Sequence, residues 1–173
     1  MTLVATTLPG LGQSQNRPQL FEPGVISTGL EAAITFTREG KILYFARRDD
    51  RQHPAHICQS RLVAGVWQTP EVALSGGDAW FDFDPCIGPD GKHIFLASNR
   101  SAEGIVTVKV SATVKASMHI WVADHQGSEW SSPWLVVNRN PESKDGTPAV
   151  ARDQRPYFVS DRQAEPNKSQ TRG

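Results

Sequence analysis

The chain has 173 residues, 38% of them hydrophobic and 8% aromatic, enough for one ordinary domain with a substantial core. Its 18 Lys and Arg balance 18 Asp and Glu, so no net field draws in nucleic acid or an anionic membrane. No apolar stretch is long enough to cross a bilayer as a helix.

Residues 1–24 form an N-terminal segment. Its opening, MTLVATTLPGLGQSQ, is apolar, small-residue-rich and without a basic lead-in. It reads as the remnant of an export signal, with a disordered terminus or a docking strand as the alternative. A polar, proline-bearing linker follows at 16–23. Strands are predicted at 33–37, 42–46, 56–62 and 66–73. Pro70 places the last at a sheet edge, where a missing ladder donor is best tolerated. A second set is predicted at 83–87, 93–97, 118–123 and 130–136, and a third at 147–150 and 157–159 only. Residues 163–173 are polar and without β-periodicity, and read as a disordered tail.

Residues 82–100, DFDPCIGPDGKHIFLASNR, set the pattern. Pro89-Asp90-Gly91 is strong turn chemistry, so the flanking segments should pair as a hairpin. The second arm, with Ile94, Phe95, Leu96 and Ala97, is apolar without alternation, which requires cover on both faces of its sheet. Upstream, REGKILYFARRD (38–49) lays onto PDGKHIFLASNR (89–100) without a gap. Downstream, ARDQRPYFVSDR (151–162) matches with Tyr157 on Phe95 and one gap toward the turn. The stretch around Trp67 and Pro70 likewise matches that around Trp130 and Pro133. IVTVKVSATVKAS (105–117) is an inserted loop or extra hairpin within the second copy.

This DxDPxxxPDGKxIxxxSNR pattern, followed by HIWVAD and a GxxWSxP strand, resembles the TolB-like, WD-repeat-like β-propeller family, in particular its exported bacterial members. The resemblance implies an all-β fold of about two and a half four-stranded antiparallel blades in an incomplete ring. Blade one would span about 25–75, blade two 80–138 and half of blade three 144–162. The first and last sheets would then each keep an uncovered apolar face. The chain would be a truncated propeller, or copies would associate through those open faces. The resemblance also implies a non-catalytic recognition scaffold that binds a protein or peptide partner, in the periplasm or outside the cell, or in the cytoplasm if the present start is the true one. The alternative is the propeller domain of a carbohydrate- or peptide-processing enzyme.

The candidate site residues are Trp80, Asp82 and Asp84. Trp80 has no repeat partner and precedes the strand that would line a central channel. Asp82 and Asp84 on that strand suit a cation or a basic peptide group, or as a pair acid–base work, against the favoured structural reading in which they cap local backbone. No counterpart of the pair is evident in the other copies. The recurring Asn99-Arg100 and Asp161-Arg162 read as contacts between blades, and Trp67 and Trp130 as packing residues. His53, His56 and Cys58 are close in sequence but lack a second ligand cluster, so no metal site is assigned. Cys58 and Cys86 are expected to be free, buried thiols. No catalytic residue, no cofactor and no membrane span is expected.

Overall fold

The computed structural model describes residues 18–50, 53–74, 77, 80–100, 117–136 and 143–162, together with the short strand β1 (Val4–Ala5). β1 pairs with β2 (Gln19–Leu20). The first large sheet orders β3 (Glu31–Phe36), β4 (Ile42–Arg47) and β5 (His56–Val63), with a split outer strand of β6 (Val66–Trp67) and β7 (Glu71–Leu74) on β5. The second repeats this with β8 (Asp82–Ile87), β9 (His93–Ser98), β10 (His119–Gln126), β11 (Glu129–Trp130) and β12 (Trp134–Leu135). A third consists of β13 (Asp145–Val150) and β14 (Pro156–Ser160). All these sheet pairings are antiparallel, and the all-β expectation is met among the described residues. The inserted segment 105–117, apart from residue 117, and the tail 163–173 lie outside the described residues, as do the first fifteen residues except β1.

The outer strand, expected to be continuous over 66–73 and again over 130–136, is broken in both sheets. Pro70 and Pro133 supply no N–H at the break. Just before it, the Gln68 amide donates to the Arg61 carbonyl (2.9 Å) and the Ser131 amide to that of Asp124 (2.8 Å). The inner strands share another irregularity. Ala33, Asp84 and Thr147 have φ of 45°, 49° and 50°, and the register slips around each. These bulges let Pro85 and Pro148 sit in β8 and β13, since a bulge leaves a residue unpaired.

The hairpin turns match residue for residue. Gly40, Gly91 and Gln154 donate their amides to the carbonyls of Thr37, Gly88 and Ala151 at 2.8, 2.9 and 2.9 Å, with φ of 66°, 68° and 67°. Two of the three are glycine, which adopts this left-handed conformation without cost, whereas exposed Gln154 is strained there. Gln154→Gly is therefore expected to stabilise the fold by roughly 0.5–1 kcal/mol, measured as an increased urea midpoint at unchanged m-value.

Packing follows the alternation of side chains along each strand. Tyr44 and Ala46 share a cluster with Ile94 and Leu96 between the first and second sheets, flanked by Ile57 and Trp121. On the other face of β9, Phe95 and Ala97 join Ile120 and Val122 against Val150 and Phe158 of the third sheet. The unbroken apolar run 94–97 is thus covered on both faces, as its composition demanded. Trp130 reaches across to Tyr44, edge to face at 5.7 Å, in the packing role expected of it.

One expectation is corrected. The first sheet does not keep an open apolar face: Leu43, Phe45, Cys58 and Trp67 are covered by Phe21, Val25 and Ile26. The Ser27 hydroxyl donates to the Phe21 carbonyl (2.7 Å), and Arg47 Nη2 donates to the carbonyls of Val25 (3.2 Å) and Ile26 (2.9 Å). Residues 21–27, from the end of the predicted linker into the start of the predicted first blade, therefore cap the first sheet and remove one of the two faces through which copies were expected to associate. Tyr157 and Val159, whose register matches that of Phe95 and Ala97, remain 56% and 67% exposed.

Candidate functional site

Each inner strand opens with a carboxylate: Glu31, Asp82 and Asp145, all buried. Burying a carboxylate is costly unless it is paired and hydrogen-bonded, and each has an arginine from the adjacent strand or its end. Asp82 accepts from Ser98 Oγ (2.7 Å) and from Arg100 Nε and Nη2 (3.2 and 2.5 Å). Asp145 accepts from Arg162 Nη2 (2.6 Å), whose Nε donates to Ser143 Oγ (3.1 Å). Glu31 lies 3.3 Å from Arg47 Nε and accepts from the Thr28 hydroxyl and the Gly29 amide. The recurring arginines therefore act within a sheet, not between sheets, and Asp82 does have counterparts. The sequence signal was available in the spacing of Asp82 to Arg100 and of Asp145 to Arg162, but the first copy hides it by using Glu31 with Arg47.

Links between sheets run through other groups. The amides of Asp82 and Asp145 donate to the carbonyls of Ala55 (3.0 Å) and Met118 (2.7 Å) of the preceding sheet. His119 Nδ1 lies 3.4 Å from Asp145 Oδ2. Between neighbouring inner strands, Asp84 Oδ2 accepts from the Thr147 amide (3.1 Å), and Thr35 Oγ1 accepts from the Ile87 amide (3.3 Å).

Electrostatics agrees with a structural role for the buried carboxylates. Burial pushes the Glu31 carboxyl up, but the hydroxyl of Thr28, the amides of Gly29 and Thr28 and the charge of Arg47 together leave it below its ordinary value. For Asp82 burial prevails over Arg100 and Ser98 and holds the carboxyl above its ordinary value. Asp82 is fully enclosed and its oxygens are engaged, so it offers nothing to a ligand. Asp84 is half-buried and turned to Thr147, so the structure does not bring the two carboxylates together as an acid–base pair. Trp80 is half-buried two residues before β8. Nearby in sequence, Phe81 and Phe83 stack in parallel 6.1 Å apart, with the Arg48 guanidinium 5.0 and 4.9 Å from their centroids.

The cysteines are free. Cys58 is buried and its thiol is pushed up to about 11 by burial, which leaves it inert at neutral pH. Cys86 is only half-buried, against the expectation of two buried thiols. His53 pairs with Asp50 at 2.9 Å, and among the described residues no three His, Cys, Asp or Glu side chains gather as a metal site.

A site that sequence reasoning missed lies at the hairpin-turn end of the inner strands. There the turns of all three sheets border a cavity of about 720 Å³, a size ordinary for ligand pockets. Phe36, Ile87 and Pro89 form apolar walls, and Arg38, Asp90 and Arg152 bring charge. Asp90 is already committed: it accepts from the Lys92 amide (2.9 Å) and lies 3.2 Å from His93 Nδ1. Its carboxyl sits below the ordinary range, because the Lys92 amide and the charges of His93 and Lys92 outweigh a burial effect that acts upward. Gly88 forms part of the lining, where a Cβ would come within 3.2 Å of Asp90 Oδ1 and 3.3 Å of Gln154 Oε1. The only sequence signal for this cavity was the repetition of the turns.

Among the described residues these features define an all-β protein of successive antiparallel sheets, each with its own buried carboxylate–arginine pair. No family model matches the chain, and no curated protein matches it significantly. Among the described residues no helix is long and apolar enough to cross a membrane.

Proposed function

We propose that the chain is a non-catalytic recognition scaffold of the TolB-like β-propeller type, with about two and a half blades, that binds a protein or peptide partner in the cell envelope. The observation that carries this reading is recurrence: three successive sheets place an inner-strand carboxylate, a bulge two residues later and a hairpin turn at matching positions. Such repetition produces a rigid frame whose loop ends are free to differ. The hairpin end holds an open, partly apolar cavity, whereas the carboxylates in the frame are engaged by arginine. This distribution favours binding over turnover. Assignment to the envelope rests on the resemblance to exported family members.

The test is panning of a random peptide display library against the immobilised folded chain, with the heat-unfolded chain as control. The reading expects a shared motif enriched only on the folded form. Enrichment of nothing, or of the same peptides on both forms, would contradict it.

A further inference from the structure

Resting on the recognition reading, we infer that the hairpin-end cavity is a binding site for an acidic peptide, in which Arg38 and Arg152 hold a carboxylate and Phe36 and Pro89 receive a neighbouring apolar side chain. The charges decide the ligand. Among the described residues neither Arg38 nor Arg152 has an ion pair or hydrogen-bond partner, and both are exposed at the cavity. Asp90, the carboxylate of the lining, is held by the Lys92 amide and His93, and His93 Nε2 in turn lies 3.3 Å from Asp124. The cavity therefore presents two uncommitted guanidinium groups, whose planar forks match a carboxylate's two oxygens.

The walls decide the rest. Phe36 is a large aromatic left 41% exposed at the cavity, although its ring also packs edge-on against Phe21 and Trp67. An aromatic anchored on one side and open on the other is a ready surface for an apolar side chain. Arg38 comes from the first sheet's turn and Arg152 from the third's, with Gly88 and Pro89 of the second between them in sequence order. A ligand that spans them would contact all three sheets, which suits an extended peptide better than a single small anion.

The probe is a fluorescein-labelled peptide, Phe-Ala-Phe-Asp with a free C-terminal carboxylate, compared by anisotropy at low salt with the amidated Phe-Ala-Phe-Asn analogue. The acidic peptide is expected to bind about tenfold or more tightly than the neutral one, and the difference should shrink as salt rises. Arg38→Ala and Arg152→Ala should each remove part of this preference and the double variant all of it. Both sites are exposed, so the variants should keep the wild-type unfolding midpoint, which serves as the folding control. Equal affinity for the two peptides, an unchanged preference in the double variant, or displacement by inorganic phosphate as effective as by unlabelled peptide would overturn the assignment. If panning yields fold-dependent peptides that the double variant still binds, recognition stands and this site falls. If panning yields none and the acidic probe fails as well, both fall.

Discussion

Arg100→Met is expected to lower the free energy of unfolding by about 3–5 kcal/mol at neutral pH, as read by urea denaturation. Asp82 is fully buried, and Arg100 supplies two of its charge-assisted hydrogen bonds. Removing the guanidinium leaves an enclosed carboxylate with Ser98 as its remaining side-chain donor. The loss reaches the lower end of the whole stability of an ordinary domain, about 5–15 kcal/mol, so the compensating variant matters. Asp82→Val with Arg100→Met removes both charges and should recover most of the deficit, because replacing a buried pair by apolar groups is often close to neutral. A double variant as unstable as the single one would show that Arg100 acts through something other than Asp82.

The same pair predicts a pH dependence. Burial already holds the Asp82 carboxyl above its ordinary value, and without Arg100 it must rise further. A carboxyl whose folded value is raised contributes fully below its unfolded value, about 3.9, and that contribution is lost as pH rises through the folded value. The deficit of Arg100→Met relative to wild type should therefore narrow as pH falls from neutral toward about 4. A deficit independent of pH would mean that Asp82 is not the group left unpaired. Glu31 runs the other way: its lowered carboxyl stabilises the fold above its unfolded value, and that contribution is lost as pH falls through the folded one.

The second large effect comes from comparing equivalent positions. Phe95 and Tyr157 occupy the same register in successive sheets, but Phe95 is buried against the third sheet and Tyr157 is 56% exposed. Phe95→Ala should cost about 3–5 kcal/mol, whereas Tyr157→Ala should change stability by about 0.5 kcal/mol or less. Similar losses at both would mean that the outer face of β14 is covered in solution, and concentration-dependent unfolding of Tyr157→Ala would then identify a second copy as the cover.

Much of the architecture was legible in sequence because turns and apolar runs act locally. Pro89-Asp90-Gly91 announced its hairpin, and the run 94–97 announced a sheet covered on both sides. The broken outer strands were less legible. Pro70 was read as an edge residue and Pro133 only as its match in the next copy, and only the pairing of Gln68 and Ser131 back to Arg61 and Asp124 shows that the strand stops and restarts. The cap formed by Phe21, Val25 and Ile26 was hidden because Phe21 sits in the polar, proline-bearing linker and Val25 and Ile26 just after it, ahead of the first strand and without strand periodicity.

The candidate site was read less well than the fold. Asp82 and Asp84 stand two apart in sequence and looked like a pair, but the bulge at Asp84 and the pull of Arg100 send them to different partners. The carboxylate–arginine pairing escaped notice because each arginine lies on, or just past the end of, the strand next to its carboxylate's, and because Glu31 replaces Asp in the first copy. Arg38 and Arg152 carried no local motif. Their significance comes from three turns meeting at one end, which is a property of sheet stacking.

The most direct test of the stacked arrangement is a nuclear Overhauser spectrum of the folded chain. Cross-peaks are expected between the Trp130 indole and the Tyr44 ring, whose centroids lie 5.7 Å apart across the first and second sheets. Others should join the Phe158 ring to side chains of the Phe95, Ile120 and Val122 cluster, across the second and third. A well-dispersed spectrum lacking both sets, or one with amide contacts that join β4 directly to β9 in a single continuous sheet, would contradict the arrangement.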